Sequence, residues 1–140
     1  DSEEEAKKQL LWGLSQADVV KISDEEVEFL FGLGVEDGAK HILETYGVKL
    51  VFVTCGPDGC FFKNKGAEGH VPSLKNIKVI DTTGAGDAFT AALTLEYLRN
   101  GKDIKAAVTY ANTAAAIAIT RKGASSSVPT EDEVNALYKK

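Results

Sequence analysis

The sequence contains no methionine, and it is sparing with proline, cysteine and histidine, which number three, two and two in 140 residues. Without even an initiating methionine, it reads as a portion cut from something longer. Scarce proline, with 44% apolar and 26% charged residues, excludes a disordered or low-complexity chain and gives enough apolar material for one domain with a core. No apolar run reaches the roughly 18 residues of a membrane span. The opening "DSEEEAKKQ" is the opposite of a signal peptide. A net charge of −5 offers no general attraction to nucleic acid or acidic lipid. Cys55 and Cys60 flank the turn sequence "GPDG", where a disulfide is conceivable. With no other secretory feature, the expectation is two reduced, half-buried thiols in a cytoplasmic protein. His41 and His70 have no ligand-like spacing, so metal binding through histidine or cysteine is not expected.

What the chain does have is alternation of helical and strand-like segments. Residues 2–16 read as an amphipathic helix with Ser2 as N-cap and Leu10, Leu11 and Leu14 inward. "ADVVKI" (17–22) reads as a buried strand. "SDEEVEFLFG" follows as a helix, with Ser23 and Glu26 in capping-box register and Gly32 as its stop. Residues 36–47 form a further helix ended by Gly47. "VKLVFVT" (48–54) is a nearly continuous apolar run, as in a central parallel strand, and "GPDG" turns it into the antiparallel "CFFKN". "AEGHVPS" and "NIKVID" supply one or two more strands. Helices are expected over about 87–99 and 103–119, the second apolar on almost every face and therefore buried, before a capped terminal helix from Thr130. The pattern is that of an α/β fold, three-layered α/β/α, with a mostly parallel sheet and helices on both faces. It is read as a single domain over residues 1–140.

In such sheets ligands bind at the carboxyl ends of strands, and two strand ends here carry glycine-rich turns, "VTCGPDG" and "IDTTGAGD". There is no Walker A pattern, and Phe89 stands where a dinucleotide fingerprint would have its third glycine. Two readings of "GAGD" are open. In the first, Thr82, Thr83 or Asp87 caps a helix and the glycines form only its turn. In the second, the unobstructed N–H groups of a helix start hold an anion. Asp87 then takes a proton from a hydroxyl that attacks a phosphoryl group, and the nest stabilises the developing charge.

"DTTGAGDAF" (81–89) resembles the second signature of the ribokinase/PfkB family of carbohydrate kinases. Similar matches run along the chain. "ADVVKISDEEVEFLFG" resembles the segment around the family's N-x-x-E motif in its fructokinase form. "VFVTCGPDGCFF" resembles the strand and turn that approach the nucleotide phosphates, and "AITRKGASSSVPT" the loop near adenine and a monovalent cation. The resemblance implies a ribokinase-like fold and an ATP-dependent sugar kinase, most simply a fructokinase, that transfers the γ-phosphoryl to a primary hydroxyl. Asp87 matches the catalytic base, and Gly84, Ala85 and Gly86 the anion hole. Thr54, Gly56 and Gly59 match the ATP-phosphate turn, and Asn112 matches a position lining the adenine pocket. Glu26 matches the acidic residue that tunes Mg²⁺ and phosphate binding. Asp81 and Thr83, with backbone oxygens around Arg121, Ala124 and Ser127, match a K⁺ site.

Other readings of these residues stand beside the resemblance. Ser23 replaces the Asn of N-x-x-E, and Ser23 with Glu26 fits a plain capping box. Asn112 also fits a satisfied core amide, and Asp81 the opening residue of an Asx turn. Ribose, 2-keto-3-deoxygluconate and nucleoside kinases share the signature, as would a non-catalytic nucleotide-binding relative. Nothing in the chain resembles the family's amino-terminal half. That half carries most of the sugar site and a β-sheet lid through which the full-length protein would form a homodimer. The chain is therefore read as the carboxyl-terminal portion, inactive alone and exposing an apolar sheet edge.

Overall fold

The computed structural model describes residues 2–101 and 103–138. Contacts divide them into two compact units, one running to Cys55 and including Cys60–His70, the other made of Gly56–Gly59 and the chain from Val71 onward.

The first unit begins with α1 (Ser2–Gln16) and β1 (Val19–Ser23), followed by α2 (Asp24–Phe31) and α3 (Val35–Tyr46). These helices form the crossover that a parallel strand pair requires. β2 (Leu50–Thr54) then lies parallel to β1, with Val20 opposite Val51 and Ile22 opposite Val53. β3 (Cys60–Asn64) returns antiparallel, placing Phe61 opposite Val53. β4 (Glu68–Val71) completes a mixed sheet in the order β1-β2-β3-β4. Because side chains alternate along a strand, Val20, Ile22, Val51, Val53 and Phe61 share one face. There they pack into one cluster with Val27 of α2 and Ala39 and Ile42 of α3. Leu50 and Phe52 point to the other face and are buried as well, which explains the unbroken apolar run of β2.

The α2 boundaries form as the sequence predicts. Ser23 Oγ accepts the Glu26 N–H at 3.1 Å, and the Glu26 carboxylate accepts the Ser23 N–H at 2.8 Å. α1 departs in two respects. Ser2 lies inside the helix, not ahead of it, and Leu10 is 49% exposed while Leu14 is buried. A helix sharing one seam with α3 buries one stripe, and Leu10 falls outside it. The two thiols also diverge. Phe61 faces the cluster, so its neighbour Cys60 faces away and is fully buried, whereas Cys55 packs against the cluster. Both remain thiols.

The second unit contains α4 (Ala85–Arg99), α5 (Ile104–Ala118) and α6 (Glu131–Tyr138). α4 packs against α5, whose alanines at 107, 111, 114, 116 and 118 are buried. The small side chains permit close approach of the two helices. Tyr110, Ala114 and Val134 form a cluster between α5 and α6, closed by the edge-on ring of Tyr138. α6 is capped as predicted: the Glu133 carboxylate accepts the Thr130 N–H at 2.7 Å, and Thr130 Oγ1 accepts the Glu133 N–H at 3.3 Å.

The strand expected at "NIKVID" does not form. Val79 and Ile80 are 56% and 57% exposed, and no strand runs beside them among the described residues. β-branched composition cannot by itself make a ladder. The segment is instead anchored at its end, where the N–H groups of Ile80 and Asp81 both donate to the Ile119 carbonyl. Among the described residues no helix is long and apolar enough to cross a membrane.

Candidate active site

The second unit assembles most of the singled-out residues around the start of α4. Asp81 opens the loop as an Asx turn: one carboxylate oxygen accepts the Thr83 N–H at 2.9 Å. The other accepts the Gly123 N–H at 3.0 Å, across 42 residues of chain. These N–H groups, Gly123 first, hold the Asp81 carboxyl below the usual carboxylate range.

Gly84 is the N-cap of α4, with φ of 80° and no side-chain cap. Of the two readings of this turn, the one in which Thr82, Thr83 or Asp87 caps the helix is therefore not met. A left-handed residue ends the turn here, and the Ala85 N–H is taken by the Thr82 carbonyl. Gly84 is required twice over. Its φ disfavours any side chain, and a Cβ would lie 3.2 Å from the Ala124 carbonyl oxygen and 3.3 Å from the Ala124 Cα. The Ala88 N–H returns to the Gly84 carbonyl. Gly86 and Asp87 are left as first-turn donors without an acceptor among the described residues, the arrangement that receives anions. Asp87 is exposed, and its carboxylate has no hydrogen bond or ion pair among the described residues.

The loop between α5 and α6 meets this start from the other side. Ser127 is fully buried and donates its Oγ–H to the Ala124 carbonyl at 2.6 Å, with its N–H on the same oxygen at 3.1 Å. The Arg121 guanidinium is paired with the Glu133 carboxylate. Asp81, Thr83, Gly84, Ala124 and Ser127 are thus brought together. For a monovalent cation the donor set fits in part. The ionised Asp81 keeps a lone pair on each oxygen, but the Ala124 carbonyl already accepts two bonds. Among the described residues no group of three His, Cys, Asp or Glu side chains could hold a metal ion.

The second glycine turn is a 3₁₀ turn, Gly56–Asp58, closed by the Gly59 N–H on the Gly56 carbonyl. Gly59 has φ of 98°, and a Cβ there would be 2.1 Å from the Val71 carbonyl oxygen, so no other residue fits. The buried Asn112 donates its amide to the Val71 and Pro72 carbonyls, at 3.2 Å each. It thereby fastens the stretch that Gly59 abuts. Thr54, at the end of β2, and Glu26, committed to its capping box, belong to the first unit. Gly123 and Glu133 were not foreseen as site residues. Glu133 had a local signal in the T-x-x-E spacing from Thr130, whereas Gly123 had none.

The sequence matches the pfkB family carbohydrate kinase domain over residues 1–131. Fructokinase-1 of Zea mays is 42% identical over 146 residues, which take in 99% of this chain and 45% of that protein. Ribokinase from Thermotoga maritima aligns with a TM-score of 0.79 and 40% identity, covering 88% of this chain and 42% of its own. Fructokinase from Vibrio cholerae O395, in its fructose-, ADP- and calcium-bound form, gives a TM-score of 0.84 at 34% identity. That alignment covers 95% of this chain and 44% of the other. The chain spans less than half the length of these relatives. Its α/β fold is ribokinase-like, and the chain belongs to the pfkB family of carbohydrate kinases.

Proposed function

We propose that this chain is the nucleotide-binding and catalytic portion of a fructokinase, which transfers the γ-phosphoryl of ATP to a primary hydroxyl of fructose. The observation that carries the reading is the start of α4. There an unpartnered, exposed Asp87 carboxylate stands beside the open N–H groups of Gly86 and Asp87, behind the left-handed Gly84. Fructose is favoured over other sugars by the Zea mays and Vibrio cholerae relatives. Asp87 accepts the proton of the sugar hydroxyl as its oxygen attacks the γ-phosphorus. In the Gly84-Ala85-Gly86 turn, the open N–H groups of Gly86 and Asp87 meet the charge that develops on the phosphoryl oxygens, while the Ala85 N–H stays on the Thr82 carbonyl. The donors are already fixed at the helix start, so no reorganisation is needed as that charge appears.

Thr54, Gly56 and Gly59 are assigned to the ATP phosphates, Asn112 to the adenine side and Glu26 to the metal-phosphate end. Mg²⁺, when bound, would neutralise phosphate charge, with Glu26 as the carboxylate this chain would offer it. A K⁺ ion would be held by Asp81 and Thr83 with the backbone oxygens of the 121–127 stretch. The reading is tested by assaying the full-length kinase with ATP, Mg²⁺ and a panel of fructose, ribose and nucleosides. Asp87→Asn should lower kcat by about 10²–10⁴-fold with ATP affinity unchanged. Turnover equal to wild type in that variant would remove Asp87 from the role of base, and a preference for ribose would replace the sugar.

A further inference from the structure

One carboxylate closes the whole loop that faces the start of α4. Glu133, in the first turn of α6, takes Arg121 through both oxygens, with Nη2–Oε1 at 2.5 Å and Nη1–Oε2 at 3.3 Å. The same Oε2 accepts the Thr130 N–H at 2.7 Å and its hydroxyl at 3.3 Å. Arg121 lies near the start of the α5–α6 loop and Thr130 at its end. Within it lie the Gly123 N–H that binds Asp81 and the Ala124 backbone that Gly84 approaches. We infer that Glu133 is a positioning residue for phosphoryl transfer, which closes the 121–130 loop into a ring so that Gly123 and Ala124 hold Asp81 and Gly84 in register.

The inference rests on the kinase reading for its consequence but not for its geometry. Exposed ion pairs stabilise little on average, and the exceptions are bidentate Arg–carboxylate pairs. Here the pair is a fork, and the acceptor is shared with a helix cap. Its effect falls on the placement of loop atoms more than on global stability, because both tethered ends lie at the surface. Loss of the fork frees the loop, and a misplacement of about 1 Å costs up to about 10²-fold in rate. The Arg121 guanidinium and the Thr130 N–H bring the Glu133 carboxyl down to about 2. The clamp therefore stays closed throughout any practical assay range.

The test is Glu133→Gln, which keeps an oxygen for the Thr130 N–H while removing the charge that holds Arg121. In the full-length kinase kcat should fall about tenfold, a smaller loss than the about 10²-fold that a full ångström costs. KM for ATP should stay within about twofold, and the loss should be the same at pH 6 and pH 9. Arg121→Met should lose as much, and the double variant no more than either alone. If the double variant loses the product of the two effects, or kcat per folded site does not change, the clamp has no positioning role. The second arm uses the 140-residue chain labelled with ¹⁵N. Glu133→Gln should shift the amide resonances of Gly123, Ala124 and Gly84, and Arg121→Lys should shift the same set less. Resonances unmoved in both variants overturn the inference whatever the activity. A full-length wild-type protein that phosphorylates no sugar, with the amide shifts present, would defeat the kinase reading and leave the clamp standing.

Discussion

Gly38 sets how closely α2 and α3 approach, and replacing it with alanine should destabilise the chain although alanine is the better helix former. A Cβ at position 38 would lie 2.1 Å from Val27 Cγ1, with Val27 Cβ and Cγ2 at 3.5 and 3.6 Å. Carbon pairs rest at about 3.5–4.0 Å, so the shortfall is roughly 1.5 Å at a single methyl. Val27 is fully buried in α2, and a helical valine has essentially one χ1 rotamer, so that methyl cannot swing aside. Overpacking of this kind costs about 1–3 kcal/mol, and a rigid neighbour puts it in the upper half. Helix propensity returns about 1 kcal/mol. The net expectation for Gly38→Ala is a loss of about 1–2 kcal/mol. Val27→Ala alone removes two buried methyls, about 1.6 kcal/mol of transfer plus a cavity contribution. In that background Gly38→Ala meets only the remaining Cβ of residue 27, at an ordinary contact distance of 3.5 Å, and should stabilise by about 1 kcal/mol. Urea unfolding of the four chains, followed by far-ultraviolet circular dichroism, reads both signs. Stabilisation by Gly38→Ala in the Val27 background would refute the reasoning, as would the same loss in both backgrounds.

Two further expectations concern groups beside the glycine turns. Burial, and secondarily the nearby Cys55, push the Cys60 thiol up to about 12. A neutral thiol is therefore favoured in the folded chain, with its stabilisation whole below the unfolded pKa near 8.5 and lost as pH climbs toward 12, by up to about 1.4 kcal/mol per pH unit. Cys60→Ala should flatten stability between pH 9 and 11, and an unchanged alkaline slope would show that the thiol does not govern it. Asn112→Ala removes the donor from two carbonyls, at Val71 and Pro72, and should cost about 2–3 kcal/mol in urea unfolding. A cost under about 0.5 kcal/mol would mean those carbonyls find other donors.

The features that were legible are those whose causes lie within a few residues. Ser23 and Glu26 declare a capping box at a spacing of three, and the β2 run declares a strand buried on both faces. "GPDG" declares the turn between two strands. Each signal is a local hydrogen bond or a periodicity, and each formed where it was read. "NIKVID" failed for the complementary reason: apolar, β-branched residues state a preference, but only a neighbouring strand can satisfy it, and nothing local says whether one is present. Leu10 failed likewise, since burial of a helix stripe depends on where α3 lies.

Asp81 shows why the site itself was only half legible. As a cation ligand or as a loop clamp, the residue must be an ionised carboxylate at the head of the glycine turn, so "DTTGAGD" reads identically under either role. What separates them is the direction of the second oxygen, which depends on Gly123, a residue 42 positions away with no signature of its own. The clamp requires N–H donors on both oxygens, and both are present. The cation requires lone pairs that those donors leave over, together with carbonyls not already committed, and the Ala124 carbonyl is committed twice to Ser127. The two roles are compatible only if the ion takes the remaining lone pairs of Asp81. A protein in which fastening is primary should keep its Gly123 and Thr83 amide positions when K⁺ is withdrawn. One in which the ion is primary should not.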